Sequence, residues 1–88
     1  MCRSIKILFN FDPPATHDEI RAASLQFVRK LSGFTEPSKA NEAAFNQAVD
    51  EVYEVAHRLV HAMVTTAPAR NREMEAARAK VRAQQRFG

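Results

Sequence analysis

The sequence predicts an all-α protein. Three observations carry that reading: a helix whose start and stop are both written in residues 13–33, a long apolar stripe at helical spacing beyond it, and a C-terminal run of Ala, Arg, Lys, Glu and Gln. The predicted order is a short N-terminal arm or helix, an antiparallel two-helix hairpin (about 17–32 and 39–66) and a basic C-terminal helix (about 71–86). The 88 residues suffice for one domain with one small core. Within it, 70–88 is expected as a loosely packed or protruding helix.

The first helix has the clearest punctuation. Pro13-Pro14 cannot lie in a helix interior, so the chain breaks before the helix begins. Thr16-His17-Asp18-Glu19 has capping-box spacing, and Asp18 and Glu19 place negative charge at the positive end of the helix dipole. Ser32-Gly33 supplies the stop, because glycine takes the left-handed C-terminal conformation without strain. Between these ends Ile20, Ala23, Ser24, Phe27 and Leu31 form the predicted buried stripe.

Residues 5–11 are read as a short helix or an extended apolar arm. Ile5, Ile7, Phe9 and Phe11 alternate as in a strand, yet no later segment offers itself as a strand partner. After Gly33, Pro37 breaks the chain and Ser38 or Asn41 is the next cap. The second helix carries Phe45, Ala48, Val49, Val52, Ala56, Leu59, Val60 and Met63 on one stripe, too wide for a single partner helix to cover. The arm, the last helix or a second copy must bury the rest. The third helix, capped by Asn71, has only a thin apolar face of Met74, Ala77 and Val81, expected to rest on the hairpin.

Composition excludes several function classes. Apolar content of 45% and charged content of 26% belong to a folded domain rather than a disordered chain. No run approaches the roughly 20 apolar residues that span a bilayer, the first residues are too poor for a signal peptide, and a single cysteine permits no internal disulfide. A cytoplasmic location without membrane association is expected. The two glycines form no phosphate-binding loop, and no cofactor is implied.

Charge is segregated. Arg70, Arg72, Arg78, Lys80, Arg82 and Arg86 stand against Glu73 and Glu75, giving residues 70–88 a net +4, while everything before them sums to −1. These six cations are the candidate binding surface for an anionic partner, either an acidic protein patch or nucleic acid. His57 and His61, one turn apart, with Asp50 and Glu54 on the same side, have spacing that can hold a metal. A solvated polar face is the commoner meaning of such a pattern, so no tight metal site is expected without a dimer. His17 is expected to face solvent. Cys2 beside Arg3 is a candidate reactive thiol, but no sequence signature places a base beside it.

Two family resemblances rest on particular residues. Met1-Cys2-Arg3-Ser4-Ile5-Lys6, Leu8 through Thr16, Gln26 through Lys30 and Pro37 through Asn41 resemble a family of small bacterial proteins catalogued only as a domain of unknown function. That resemblance spans nearly the whole chain and implies no activity. Ala15 through Ala23 and Phe45 through Leu59 are similar to the second and third helices of the J-domain of DnaJ-type co-chaperones. The His-Pro-Asp tripeptide that should follow the first of these is replaced by Ser32-Gly33-Phe34 and Thr35-Glu36-Pro37, so no Hsp70 stimulation is expected. The function these residues imply is that of a non-catalytic protein-interaction or adaptor domain. The alternatives are non-specific nucleic-acid binding through the basic helix and thiol chemistry at Cys2.

Overall fold

The structure is a computed structural model that describes residues 5–87, with side chains described through Gln85. It is mostly helical. Helix α1 (His17–Ser32) and helix α2 (Glu42–Ala62) form the hairpin, and α3 (Arg72–Phe87) follows it. A two-residue strand β1 (Phe11–Asp12) pairs in parallel with β2 (Arg70–Asn71), setting Phe11 opposite Arg70 and Asp12 opposite Asn71.

Both ends of α1 form as its sequence dictates. The Glu19 N–H donates to the Thr16 hydroxyl at 3.1 Å, and the Thr16 N–H donates to Glu19 Oε1 at 2.9 Å. At the other end Gly33 adopts φ 77°, and its N–H reaches the Arg29 carbonyl at 2.9 Å. A side chain there would be held in the left-handed region that L-residues avoid. The 3₁₀ turn Lys39–Asn41 leads into α2. Neither Ser38 nor Asn41 caps a helix with its side chain; instead the Asn41 amide donates to the Ser38 hydroxyl at 2.9 Å. The second helix stops at Ala62, four residues before the expected end, so Met63 and Val64 lie in the connector.

The core is small. Val28, Phe45 and Val49 form its centre, with Leu25, Ala48 and Val52 packed around them. Ile20 and Ala15 are buried as well, and the buried Ser24 hydroxyl donates to the Ile20 carbonyl at 2.8 Å, which satisfies it without leaving the helix. The buried line on α1 is therefore Ile20, Ser24 and Val28, one turn apart each time. The stripe predicted from the sequence is rotated from it: Phe27 remains 42% exposed and Leu31 is exposed, whereas Phe45 is 7% exposed as expected of a core residue.

The N-terminal arm is extended, and it does have a strand partner. The partner is the connector after α2, whose Thr65–Ala69 stretch carries no strand pattern of its own. Asn10 turns the arm with φ 65°, a conformation asparagine tolerates better than most residues. Its carbonyl accepts the Arg70 N–H at 2.7 Å, and its side-chain amide donates to the Pro68 carbonyl at 3.1 Å. The arm and connector thus hold each other at the end of the hairpin where α3 begins. No helix among the described residues is long and apolar enough to cross a membrane.

Candidate interaction surface

Among the described residues, the polar contacts that tie helix α3 to the hairpin are those of its first residue. Arg72 donates through Nη1 to Glu19 Oε2 at 2.8 Å and through Nη2 to Glu19 Oε1 at 3.0 Å, a two-pronged ion pair. Its Nε and Nη2 also reach the Pro13 carbonyl at 3.1 and 3.0 Å, Nη2 reaches the Pro14 carbonyl at 3.2 Å, and the guanidinium lies 5.4 Å from the Phe11 ring centre. Glu19 serves two purposes: it completes the cap of α1 and receives the start of α3. The hydrogen bonds from Arg72, then that from the Thr16 N–H, hold its carboxyl down to about 2 against the opposing effect of burial. The same pair raises the Arg72 guanidinium above its ordinary value. Asn71 caps the helix as the sequence indicates, its Oδ1 accepting the Met74 N–H at 3.0 Å.

Beyond Arg72 the helix projects from the hairpin. Met74 is 55% exposed and Val81 50%, and Ala77 is exposed with them. The apolar face of α3 does not rest on the hairpin of its own chain, contrary to expectation. Fixing both arm and connector at the hairpin's end directs α3 away from the helices it was expected to cover.

Five of the six candidate cations divide into two groups. Arg72 is spent on Glu19, Arg70 sits in the strand pair with its guanidinium 5.9 Å from the Phe11 ring centre, and Arg78 donates to Glu75 at 3.2 Å. Lys80 and Arg82 are exposed with no ion pair among the described residues. The Arg86 side chain lies outside those described. Only part of the positive charge that the sequence concentrates here is open to a partner.

The hairpin has two unlike flanks. On a 3.6-residue helix, Asp50, Tyr53 and His57 fall to one side of the buried Phe45–Val49 line, while Ala48, Val55 and Leu59 fall to the other. On the first side Asp50 pairs with Arg21, whose guanidinium lies 5.2 Å from the Tyr53 ring centre. The second flank is apolar and open: Val55 and Leu59 are each 56% exposed.

The candidate metal quartet is not assembled. Asp50 is taken by Arg21, and His57 turns toward His17 rather than toward Glu54. His57 and His17 approach with their Nε2 atoms 3.4 Å apart, and the His61 ring stacks 4.2 Å from that of His57. His61 Nδ1 lies 2.8 Å from the His57 carbonyl, which makes that nitrogen the donor. Partial desolvation first, then the neighbouring His61 and His17, lower the His57 pKa below the ordinary histidine value. His17, although exposed, is therefore part of a cluster; the 40-residue separation hides this in the sequence, since the link exists only once the hairpin closes. No group of three or more potential ligands has metal-holding geometry among the described residues. Cys2 lies outside the described residues.

Fold and surface together define a small helical-hairpin protein with an amphipathic, basic third helix anchored through Arg72. The chain belongs to the family described as an uncharacterized conserved protein (DUF2277), which it matches over residues 1–78. No curated protein and no solved structure matches it.

Proposed function

We propose that this chain is a non-catalytic protein-interaction domain of the cytoplasm whose docking element is α3. The observation that carries the reading is a helix with an apolar face of Met74, Ala77 and Val81 that stays exposed among the described residues. Leaving such a face in water forfeits about 25 cal/mol for each Å² that a partner could bury. The engagement of Arg70, Arg72 and Arg78 within the chain argues against a phosphate-binding stripe, which needs several cations free to contact successive phosphates.

The test is capture from lysate by the tagged chain, with and without nuclease, beside a Met74→Glu/Val81→Glu variant. Discrete protein bands that survive nuclease and disappear with the variant are expected. Capture abolished by nuclease would replace this reading with nucleic-acid binding. In that event affinity for duplex DNA should fall with salt at a log–log slope of roughly −4 to −5, as four to six phosphate contacts require.

A further inference from the structure

The uncovered face of α3 needs an occupant, and a second copy of the chain fits it. Resting on the interaction reading above, we propose that the α3 of one chain packs on the open flank of the hairpin of a second copy, so that two chains exchange their third helices.

Exposed area points first to a missing partner. A compact chain of 9.9 kDa exposes about 5,200 Å². This one exposes 7,075 Å². The excess is more than the roughly 800 Å² that each partner contributes to a standard-size interface. The shape agrees: the radius of gyration is 15.4 Å, where a compact chain of this length has about 12 Å. The shortest dimension is 17 Å, too thin for a three-layered bundle of helices about 10 Å across.

Side-chain spacing points to the same partner. The open face of α3 runs Met74, Ala77, Val81, and the flank of α2 runs Val52, Val55, Leu59, of which Val55 and Leu59 are open while Val52, like Ala48, is half-buried at the edge of its own core. Both follow the same three-then-four spacing, the step that lets two helices interlock along a seam. Ala48 extends the α2 seam by one more turn. An antiparallel pairing that sets Val52 against Ala77 brings Val55 to Met74 and Ala48 to Val81, a large residue against a large or small one at each level. It also places Glu51 beside Lys80 and Arg58 beside Glu73, both opposite in sign. A parallel pairing in the same frame offers only Glu51 with Arg78. Charge therefore chooses the orientation, and the whole of α2 at −3 faces the whole of α3 at +3.

The occupant is a second copy because the chain's own α3 leaves its hairpin at Arg72. An element that can pack on its own body but is directed outward is the arrangement from which reciprocal exchange arises.

Sedimentation equilibrium of the full chain tests this. The expected result is a species of twice the single-chain mass. Val55→Glu, which spoils the receiving flank, and Val81→Glu, which spoils the inserted helix, should each yield single chains. Both positions are exposed in the isolated chain, and circular dichroism should confirm that the helices persist. Mixing the two variants should restore part of the dimer, because one intact helix still meets one intact flank. Glu51→Lys and Lys80→Glu should each weaken association several-fold, and the combined variant should recover it. Single chains at every concentration, with Val81→Glu lowering the melting temperature, would overturn the proposal in favour of α3 closing on its own hairpin. A dimer that survives both Val55→Glu and Val81→Glu would also overturn it. Single chains that still capture lysate proteins after nuclease remove this inference alone; single chains that capture nothing remove the interaction reading with it.

Discussion

Replacing Glu19 by Gln separates the two tasks that one carboxylate performs. Glutamine can still accept the Thr16 N–H, as the capping box allows either residue, but it cannot form the ion pair with Arg72. A carboxyl held at about 2 rather than 4.5 corresponds to at most ~3.4 kcal/mol at 1.36 kcal/mol per tenfold change. The Glu19 side chain is 35% exposed, so water screens the pair and the expected loss is ~1–2 kcal/mol at neutral pH. For a domain of this size that is a fall in melting temperature of roughly 5–15 °C. The sign follows from linkage. Because the folded-state pKa is depressed, the ionised carboxylate stabilises the fold above the unfolded value of about 4.5, and this contribution fades as pH falls toward 2. Thermal melts of the two proteins by circular dichroism should therefore differ at pH 7 and converge near pH 2. Overlapping curves at pH 7 would refute the assignment of the pair as a structural clasp. A gap that persists undiminished at pH 2 would show that the loss comes from something other than charge.

Three further outcomes are expected. Phe45→Ala should cost about 3–5 kcal/mol, enough to unfold most of a chain this small, while Phe27→Ala, removing a half-exposed ring, should cost well under half of that; equal losses in denaturant titrations would contradict the packing described. Calorimetric titration with zinc at neutral pH should show nothing tighter than tens of micromolar, since His17 and His57 offer two imidazoles and Asp50 is occupied by Arg21; a sub-micromolar isotherm lost on His57→Ala would establish a metal site there instead. His57, faced by His17, His61 and Tyr53, has a depressed pKa, so its neutral form favours the fold and stability should decline as pH drops below about 6.5. The decline between pH 7.5 and 5 should be shallower in His57→Gln, and identical slopes would dismiss the cluster as a source of pH dependence.

Features that depend on near neighbours are legible in the sequence. Thr16 and Glu19 are three residues apart, Gly33 follows its helix directly, and Asn71 caps the helix that starts beside it; local chemistry decides each of them. The rotation of α1 is harder to read for a different reason. Phe27 and Leu31 are larger than Val28, and weighting the stripe by size draws it away from Val28. Ile20 and Ser24 belong to both lines, the serine held by its bond to the Ile20 carbonyl, so the two part only at Val28 against Phe27 and Leu31. Contacts across the chain leave no such trace. Glu19 and Arg72 are 53 residues apart, and nothing in either neighbourhood marks the other. The β1–β2 pair escapes sequence reasoning because two residues suffice for it, and neither Arg70 nor Asn71 favours a strand.

The clasp at Arg72 and the uncovered face beyond it have a joint consequence for how this protein should be measured. Among the described residues the buried apolar ones are few: Ala15, Ile20, Val28, Phe45 and Val49. A core of that size leaves a small margin against chain entropy. If a second copy covers Val55, Met74 and Val81, association adds to stability by mass action, and the melting temperature should rise with protein concentration. The ion pair then acts on association as well as folding, because it fixes where α3 leaves the hairpin and so where its face is presented. Glu19→Gln should consequently weaken the dimer although Glu19 lies outside the proposed seam. A variant that lowers stability but leaves the concentration dependence of melting unchanged would separate the two roles and confine the clasp to the single chain.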